Sequence, residues 1–254
     1  MEPPYLSIVI PAYNEADVIG STLEAIGRYL APGGLAHEIL VVDDGSTDAT
    51  PQLVRWRAAH YPQVRLLTFP HQGKGGAVRQ GVLAAAGRYV LFLDADSSTR
   101  IEEWDKLHPW LQQGYDVVIG SRKIAGAQIA RRQSSVREFL GKGFTWLTNA
   151  LLSTRVTDIT CGFKAFQHPA ARELFGAQRL TGWGFDAEIL FLAQRFGYRL
   201  KEVPVVWTND ATTNMRLGTD ILRSFSELVA VRWHACRGRY ARPPAVSTPA
   251  EESA

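Results

Sequence analysis

The sequence predicts an α/β fold with a mainly parallel sheet and helices on both faces. Two observations predict it. Short apolar runs alternate with helix-period segments through the first half of the 254 residues, the mark of successive βαβ units. Runs such as Ile8-Val9-Ile10 and Val90-Leu91-Phe92-Leu93 are apolar at every position, as strands covered on both sides must be. A composition of 46% hydrophobic and 21% charged residues suits a chain with a full core and argues against disorder.

Residues 6–10 read as the first strand, ended by Pro11. Residues 15–30 place Val18, Ile19, Leu23, Ile26 and Leu30 at helical spacing and stop at Pro32-Gly33-Gly34. A second strand (38–42) and helix (48–59) follow, then a third strand (64–69) and helix (75–86). A fourth strand (88–93), a helix (101–112) and a fifth strand (115–119) complete the regular part. Beyond Arg122 the rhythm changes. Residues 123–137 are polar and basic, 139–152 predict a helix, 162–166 a short strand, 186–196 a helix and 200–206 a strand. Residues 219–233 predict an amphipathic helix with Ile221, Leu222, Phe225, Leu228, Val229 and Trp233 along one side. With no repeat and no linker, residues 1–240 count as one domain, and the Pro-, Ser-, Ala- and Glu-rich end (241–254) as a disordered tail.

Several classes are set aside. A net charge of +3 is too small to imply a polyanionic partner, so no nucleic acid is expected. Cys161 and Cys236 are far apart and lack a C-x-x-C partner, against a disulfide framework or structural zinc and in keeping with a reducing compartment. The first residues carry Glu2 and no basic region, unlike a signal peptide. The longest charge-free stretch, residues 143–154, is well short of the roughly twenty residues that span a bilayer.

In an open parallel sheet, ligands bind outside the carboxyl ends of the strands. Those ends carry Pro11-Ala12-Tyr13-Asn14-Glu15, Asp43-Asp44-Gly45-Ser46, His71-Gln72-Gly73-Lys74-Gly75-Gly76 and Asp94-Ala95-Asp96. Two carboxylates two residues apart repel unless a cation sits near them, and hard oxygen ligands favour Mg2+ or Mn2+. A turn accounts for D-x-D alone about equally well; Asp43-Asp44 at what reads as a parallel neighbouring strand end weakens that account. The glycine-rich segment around Lys74 matches neither G-x-G-x-x-G nor the P-loop, though Lys74 suits a diphosphate as well as it suits solvent. Arg122, Lys123, Arg131, Arg132, Arg137 and Lys142 form a basic run beside Phe139, Phe144, Trp146 and Leu147, and Arg223, Arg232, Arg237 and Arg239 flank the last helix. Such faces suit either an anionic membrane surface or phosphorylated lipid, or ordinary core and solvated surface.

The chain resembles glycosyltransferase family 2, and most closely its dolichyl-phosphate glucosyltransferase and mannosyltransferase branch. The resemblance is carried by Val9-Ile10-Pro11-Ala12-Tyr13-Asn14-Glu15, Val41-Val42-Asp43-Asp44-Gly45-Ser46-Thr47-Asp48, Gly73-Lys74-Gly75-Gly76-Ala77-Val78 and Leu93-Asp94-Ala95-Asp96. Gly120-Ser121-Arg122, Asp158-Ile159-Thr160-Cys161-Gly162-Phe163-Lys164 and Trp183-Gly184-Phe185-Asp186-Ala187-Glu188 continue it, in order, from about Leu6 to about Trp233. Cys-Gly-Phe-Lys and Gly-Lys-Gly-Gly look more like the glucosyl branch.

The resemblance implies a GT-A nucleotide-diphospho-sugar fold and inversion at the anomeric carbon. It implies a donor site of Pro11, Tyr13, Glu15, Asp43, Asp44, Lys74, Asp94, Ala95 and Asp96, with Asp96 as direct ligand of Mg2+ or Mn2+ and Asp94 beside it. Arg122 and Arg132 are implied at the acceptor phosphate or the donor diphosphate, with Arg131, Lys164 and Arg216 also toward the acceptor phosphate. The donor is expected to be UDP-glucose and the acceptor a polyprenyl or dolichyl phosphate. The enzyme is expected in the cytoplasm, held peripherally on a membrane by the regions 122–155 and 218–240. If the acceptor is instead a saccharide or protein hydroxyl, a base is needed, and Asp186 is the candidate by position. A non-catalytic nucleotide-sugar-binding protein is the remaining alternative. Ser98 stands where some relatives supply a metal-coordinating Gln, and Thr212-Thr213-Asn214-Met215-Arg216 where many glucosyl members carry Gly-Ser-Lys, with Arg216 the candidate to replace the lysine's charge.

Overall fold

A computed structural model of the chain describes residues 3–131, 135–208 and 219–242, without the side chains of 131, 135–139 and 219–222. A seven-stranded sheet forms the centre. Its strands are β1 (Leu6–Ala12), β2 (His37–Asp43), β3 (Val64–Thr68), β4 (Tyr89–Leu93), β5 (Val117–Ser121), β7 (Phe163–Gln167) and β8 (Leu200–Pro204). Their order is β3-β2-β1-β4-β7-β5-β8, and only β7 runs antiparallel, to β4 and β5. A second, two-stranded parallel sheet pairs β6 (Gln128–Arg131) with β9 (Val206–Thr208).

Every residue of β1 and β4 is buried because both faces are covered. Side chains alternate between those faces. Ile8, Ile10, Leu91 and Leu93 meet α1 (Ile19–Leu30) and α4 (Trp104–Gln112), while α2 (Thr50–His60) adds Val54 to the same layer. Val9, Val42 and Phe92 point the other way, into a cluster with α3 (Lys74–Ala84), α6 (His168–Ala177) and α7 (Phe185–Arg195). The helices α5 (Ser135–Leu152) and α8 (Thr219–Cys236) extend that second cluster through Phe144, Leu152, Leu228 and Val231.

Several expectations are corrected. Strand β1 does not end at Pro11: the proline pairs in register with Val42. Pairing with β4 covers only Leu6 to Val9, so beyond Val9 that side of β1 asks for no donor and proline's missing N–H costs nothing there. The Asp43-Asp44 strand end is not adjacent to that of Asp94, because β1 lies between β2 and β4. Strand β6 and helix α6 were not expected, and α5 begins at Ser135, four residues before the apolar pattern does. The expected tail lies outside the described residues from position 243.

The chain order β1, β2, β3 moves one way across the sheet, and β4 then joins the opposite side of β1. The connections diverge between β1 and β4, which opens a crevice at their carboxyl ends. Tyr13, Asp94 and Asp96 follow those two strands.

Candidate active site

On the β2–β3 side, the loops are laced by short side chains. Asn14 sits at φ 55°, accepts the Thr47 N–H at 2.8 Å and donates its own N–H to Ser46 at 2.9 Å. The Glu15 N–H donates to Thr50 and the Ala16 N–H to Asp48. Asp43, 1% exposed, accepts the Ser46 N–H. Asp44, 3% exposed, accepts the Gln72 and Gly73 N–H groups at 2.8 and 2.9 Å, and so fixes the loop that leads into α3. Pro11 and Ala12 lie buried beneath, and Tyr13 is 37% exposed above them.

That loop delivers Lys74, whose ammonium lies 2.7 Å from Asp94 Oδ1 and over the rings of Phe92 and Trp183. The approach requires glycine. Gly73 has φ 105°, and a Cβ there would stand 2.7 Å from the Thr181 carbonyl; one at Gly75 would stand 2.6 Å from Phe185 Cβ. Burial works against the Lys74 charge, but Asp94 and Asp186 outweigh it and hold the amine protonated.

Asp94 also owes its place to an absent side chain: a Cβ on Gly162 would fall 1.9 Å from its Oδ2. Asp96 accepts the Ser98 N–H at 2.9 Å. Its carboxyl is pushed up by burial and by the negative charge of Asp94, against the Ser98 hydrogen bonds and the charge of Lys74. Two half-buried carboxylates, the charge of one raising the proton affinity of Asp96, with the buried Ala95 between them, form a cradle suited to a hard divalent cation. No group of three or more potential metal-ligating side chains occurs among the described residues, so Mg2+ or Mn2+ would take its other ligands from substrate oxygens and water.

Behind this cradle lies a second pair. Lys164, 1% exposed, donates to Asp186 at 2.7 Å and to the Cys161 carbonyl. Lys164 was expected on the acceptor phosphate; its ammonium instead faces inward and balances Asp186. Burial raises the Asp186 carboxyl and the charge of Asp94 adds to it, against Lys164 and Lys74. Burial likewise lifts the Cys161 thiol to about 11, which keeps it inert.

Arg122 borders the other side. Its Nε and Nη2 donate to Asp158 at 2.7 and 2.8 Å, its backbone N–H does so at 2.8 Å, and Nη2 also reaches Thr160. Its guanidinium lies over Trp207 of β9, 5.3 Å from the ring centroid. Asp94 is among the charges that hold Arg122 protonated, so the arginine and the acid cradle share one field. Arg132 and Arg216 lie outside the described residues, and Arg131 ends β6 with its side chain undescribed. Asp158, Trp207 and His71 were not singled out from the sequence. Asp158 had a signal, since it stands in the quoted motif just before Cys161; Trp207 is found only through the β6–β9 pairing.

The model of "Glycosyl transferase family 2" matches residues 7–175. A dolichyl-phosphate beta-glucosyltransferase of Trichomonas vaginalis is 35% identical over 96% of this chain and 76% of its own length. The enzyme of that name from Saccharomyces cerevisiae is 34% identical over 94% and 77%. Among solved structures, glucosyl-3-phosphoglycerate synthase from Mycobacterium tuberculosis, in complex with uridine-diphosphate, aligns with TM-score 0.67 and 23% identity over 91% of this chain and 80% of that one. Mannosyl-3-phosphoglycerate synthase from Rubrobacter xylanophilus aligns with TM-score 0.68 and 20% identity over 97% and 79%. The structural likeness establishes the GT-A fold.

Proposed function

The chain belongs to glycosyl transferase family 2, and from that premise we propose that it is an inverting glucosyltransferase that moves glucose from UDP-glucose to a polyprenyl phosphate of the dolichyl type. The observation that carries this reading is the cradle after β4: Asp94 and Asp96, with Lys74 on one side and Arg122 on the other. The names of relatives 31–36% identical over most of the chain support the sugar and the acceptor.

When bound at Asp96, with Asp94 beside it, Mg2+ or Mn2+ would supply positive charge to the donor diphosphate. Lys74 adds a fixed ammonium to the same place, and its protonated state is secured by Asp94 and Asp186. Arg122 is held rigid by Asp158 and Trp207, so it offers a prearranged cationic plane to the acceptor phosphate. Arg131, Arg132 and Arg216 belong to the same proposal. A phosphate oxygen then forms the new bond to the anomeric carbon from the face opposite the diphosphate, whose oxygen leaves with the bonding pair. Such an oxygen is anionic at neutral pH and needs no base, which agrees with an Asp186 committed to Lys164.

No helix among the described residues is long and apolar enough to cross a membrane. Lipid would then be met at a surface. Trp146 of α5 and Trp233 of α8 are 71% and 42% exposed, and Arg237 and Arg239 both stack on Trp233, an arrangement suited to an anionic interface.

The test is transfer of labelled glucose from UDP-glucose to a short polyprenyl phosphate with Mn2+ or Mg2+. Folded protein that transfers nothing from UDP-glucose or GDP-mannose would overturn the reading. Transfer to a saccharide hydroxyl, abolished in a folded Asp186→Asn variant, would favour the base-requiring alternative.

A further inference from the structure

We infer that Glu227 of α8 is a positioning residue for Lys74, acting on it from outside the donor site through the segment 178–184. This rests on the nucleotide-sugar reading above and adds to it the residue that keeps the fixed ammonium in place.

The segment clasps the first turn of α3. Gln178 Nε2 donates to the Gly75 carbonyl at 2.9 Å, and the Thr181 carbonyl accepts the Gly76 N–H at 3.1 Å. The Lys74 ammonium lies 5.2 Å from the centroid of the Trp183 ring and 5.4 Å from that of Phe92. Phe185, which opens α7, meets Phe92 edge to face at 5.9 Å. Lys74 is thus seated on two aromatic faces, one supplied by the segment and the other buttressed by the residue after it. Such a cation stays where it is only while the rings do.

Two buried carboxylates anchor the segment. Glu188 of α7 accepts the Arg179 and Leu180 N–H groups at 3.0 and 2.8 Å. Glu227, 9% exposed and 43 residues beyond Gly184, accepts the Gly184 N–H at 2.7 Å. Its ion pair with Arg223, at 3.3 Å, involves an arginine side chain that is 64% exposed, and a pair so open to water contributes little. The buried hydrogen bond to Gly184 is therefore the contact that matters.

Glycine on both sides of Trp183 makes room for this carboxylate. A Cβ on Gly182 would fall 2.1 Å from Glu227 Oε1, and one on Gly184 would fall 2.8 Å from Oε2. Gly184 gives α7 no side-chain cap, whereas a short polar residue there would cap the helix without any help from α8. With glycine in place, Glu227 serves the positive end of α7 and also pins the backbone that flanks Trp183. Removing the carboxylate strands a buried N–H and loosens the Trp183 seat beneath Lys74.

The experiment measures UDP and UMP affinity by calorimetry, each with Mn2+, in the full chain and in Lys74→Met, Glu227→Ala, Glu227→Asp and Glu227→Gln. Thermal melting sets a working temperature at which each is folded. The readout is the UDP-to-UMP affinity ratio, which isolates the second phosphate; a variant that is merely less stable keeps that ratio. Lys74→Met should lower the ratio by about tenfold, the worth of one charge-assisted hydrogen bond, and Glu227→Ala by about threefold or more. Glu227→Gln keeps an oxygen for the Gly184 N–H and should hold most of the ratio. Glu227→Asp keeps the charge but draws the acceptor back by one methylene; it should behave as Ala does, and it carries the test if the Ala variant does not fold. A wild-type ratio in the folded Ala or Asp variant, beside a lowered one in Lys74→Met, would overturn this inference alone. So would a Gln variant as impaired as Ala, since charge rather than the hydrogen bond would then be at work. A wild-type ratio in Lys74→Met would instead take Lys74 off the donor diphosphate.

Discussion

At the scale of single residues, Asp158 has no exposed side-chain surface and receives three hydrogen bonds from Arg122. Burial pushes its carboxyl up, but the hydrogen bonds and charge of Arg122, with the charge of Lys123, bring it down to about 2. The unfolded value is about 3.9. A depressed folded value means that the stabilisation is complete above about pH 4 and is lost as pH falls toward 2; it amounts to about 2–3 kcal/mol. In urea titrations between pH 5 and 2.5, Asp158→Asn should start less stable than wild type and lose less over that window. Parallel pH profiles would contradict this. Lys164 and Asp186 pose the same question deeper in the core, with side chains 2% and 6% exposed. Lys164→Met should cost about 3–5 kcal/mol by stranding a buried carboxylate, read as a lower denaturation midpoint, and a loss below 1 kcal/mol would show that Asp186 is not charged there. Asp94, Asp96 and Arg122 were legible because paired acids and a motif arginine announce chemistry. The inward turn of Lys164 was not legible, since residue type carries no sign of direction.

At the scale of elements, the loop into α3 and the turn before β7 both depend on glycines for close approach. The glycines near Lys74 match no phosphate-loop pattern, and their packing against Thr181 and Phe185 accounts for them. Gly162→Ala should turn Asp94 out of the cradle and weaken Mn2+-dependent UDP binding by about tenfold or more, at a stability cost of about 1–3 kcal/mol. Calorimetry alongside thermal melting checks both, and unchanged metal-dependent affinity would show that Asp94 is dispensable. Elements with a clear apolar period, such as α1, β1, β2 and β4, were read within a few residues. Helix α6 was missed although Pro169 opens it and Ala170, Ala171, Leu174 and Phe175 face the core. Strand β6 is four residues long and, among the described residues, pairs only with distant β9, so nothing local announced it.

At the scale of the whole molecule, alternation of strand and helix identified a parallel sheet, and motif order identified the family. The antiparallel insertion of β7 between β4 and β5 is a long-range pairing that no local pattern encodes. The exposed Trp146 of α5 and Trp233 of α8, two helices joined through Phe144 and Phe225, belong to this scale too. Replacing both tryptophans with Ala should reduce co-sedimentation with anionic phospholipid vesicles about tenfold and leave UDP binding intact. Undiminished vesicle binding would place the lipid contact elsewhere. The most direct measurement of the central claim is UDP affinity with and without Mn2+ in the wild type and in Asp96→Asn. Tighter binding with Mn2+ in the wild type, lost in Asp96→Asn, is the predicted result. A wild type whose UDP affinity ignores the metal, or a variant that keeps the full metal effect, would contradict it.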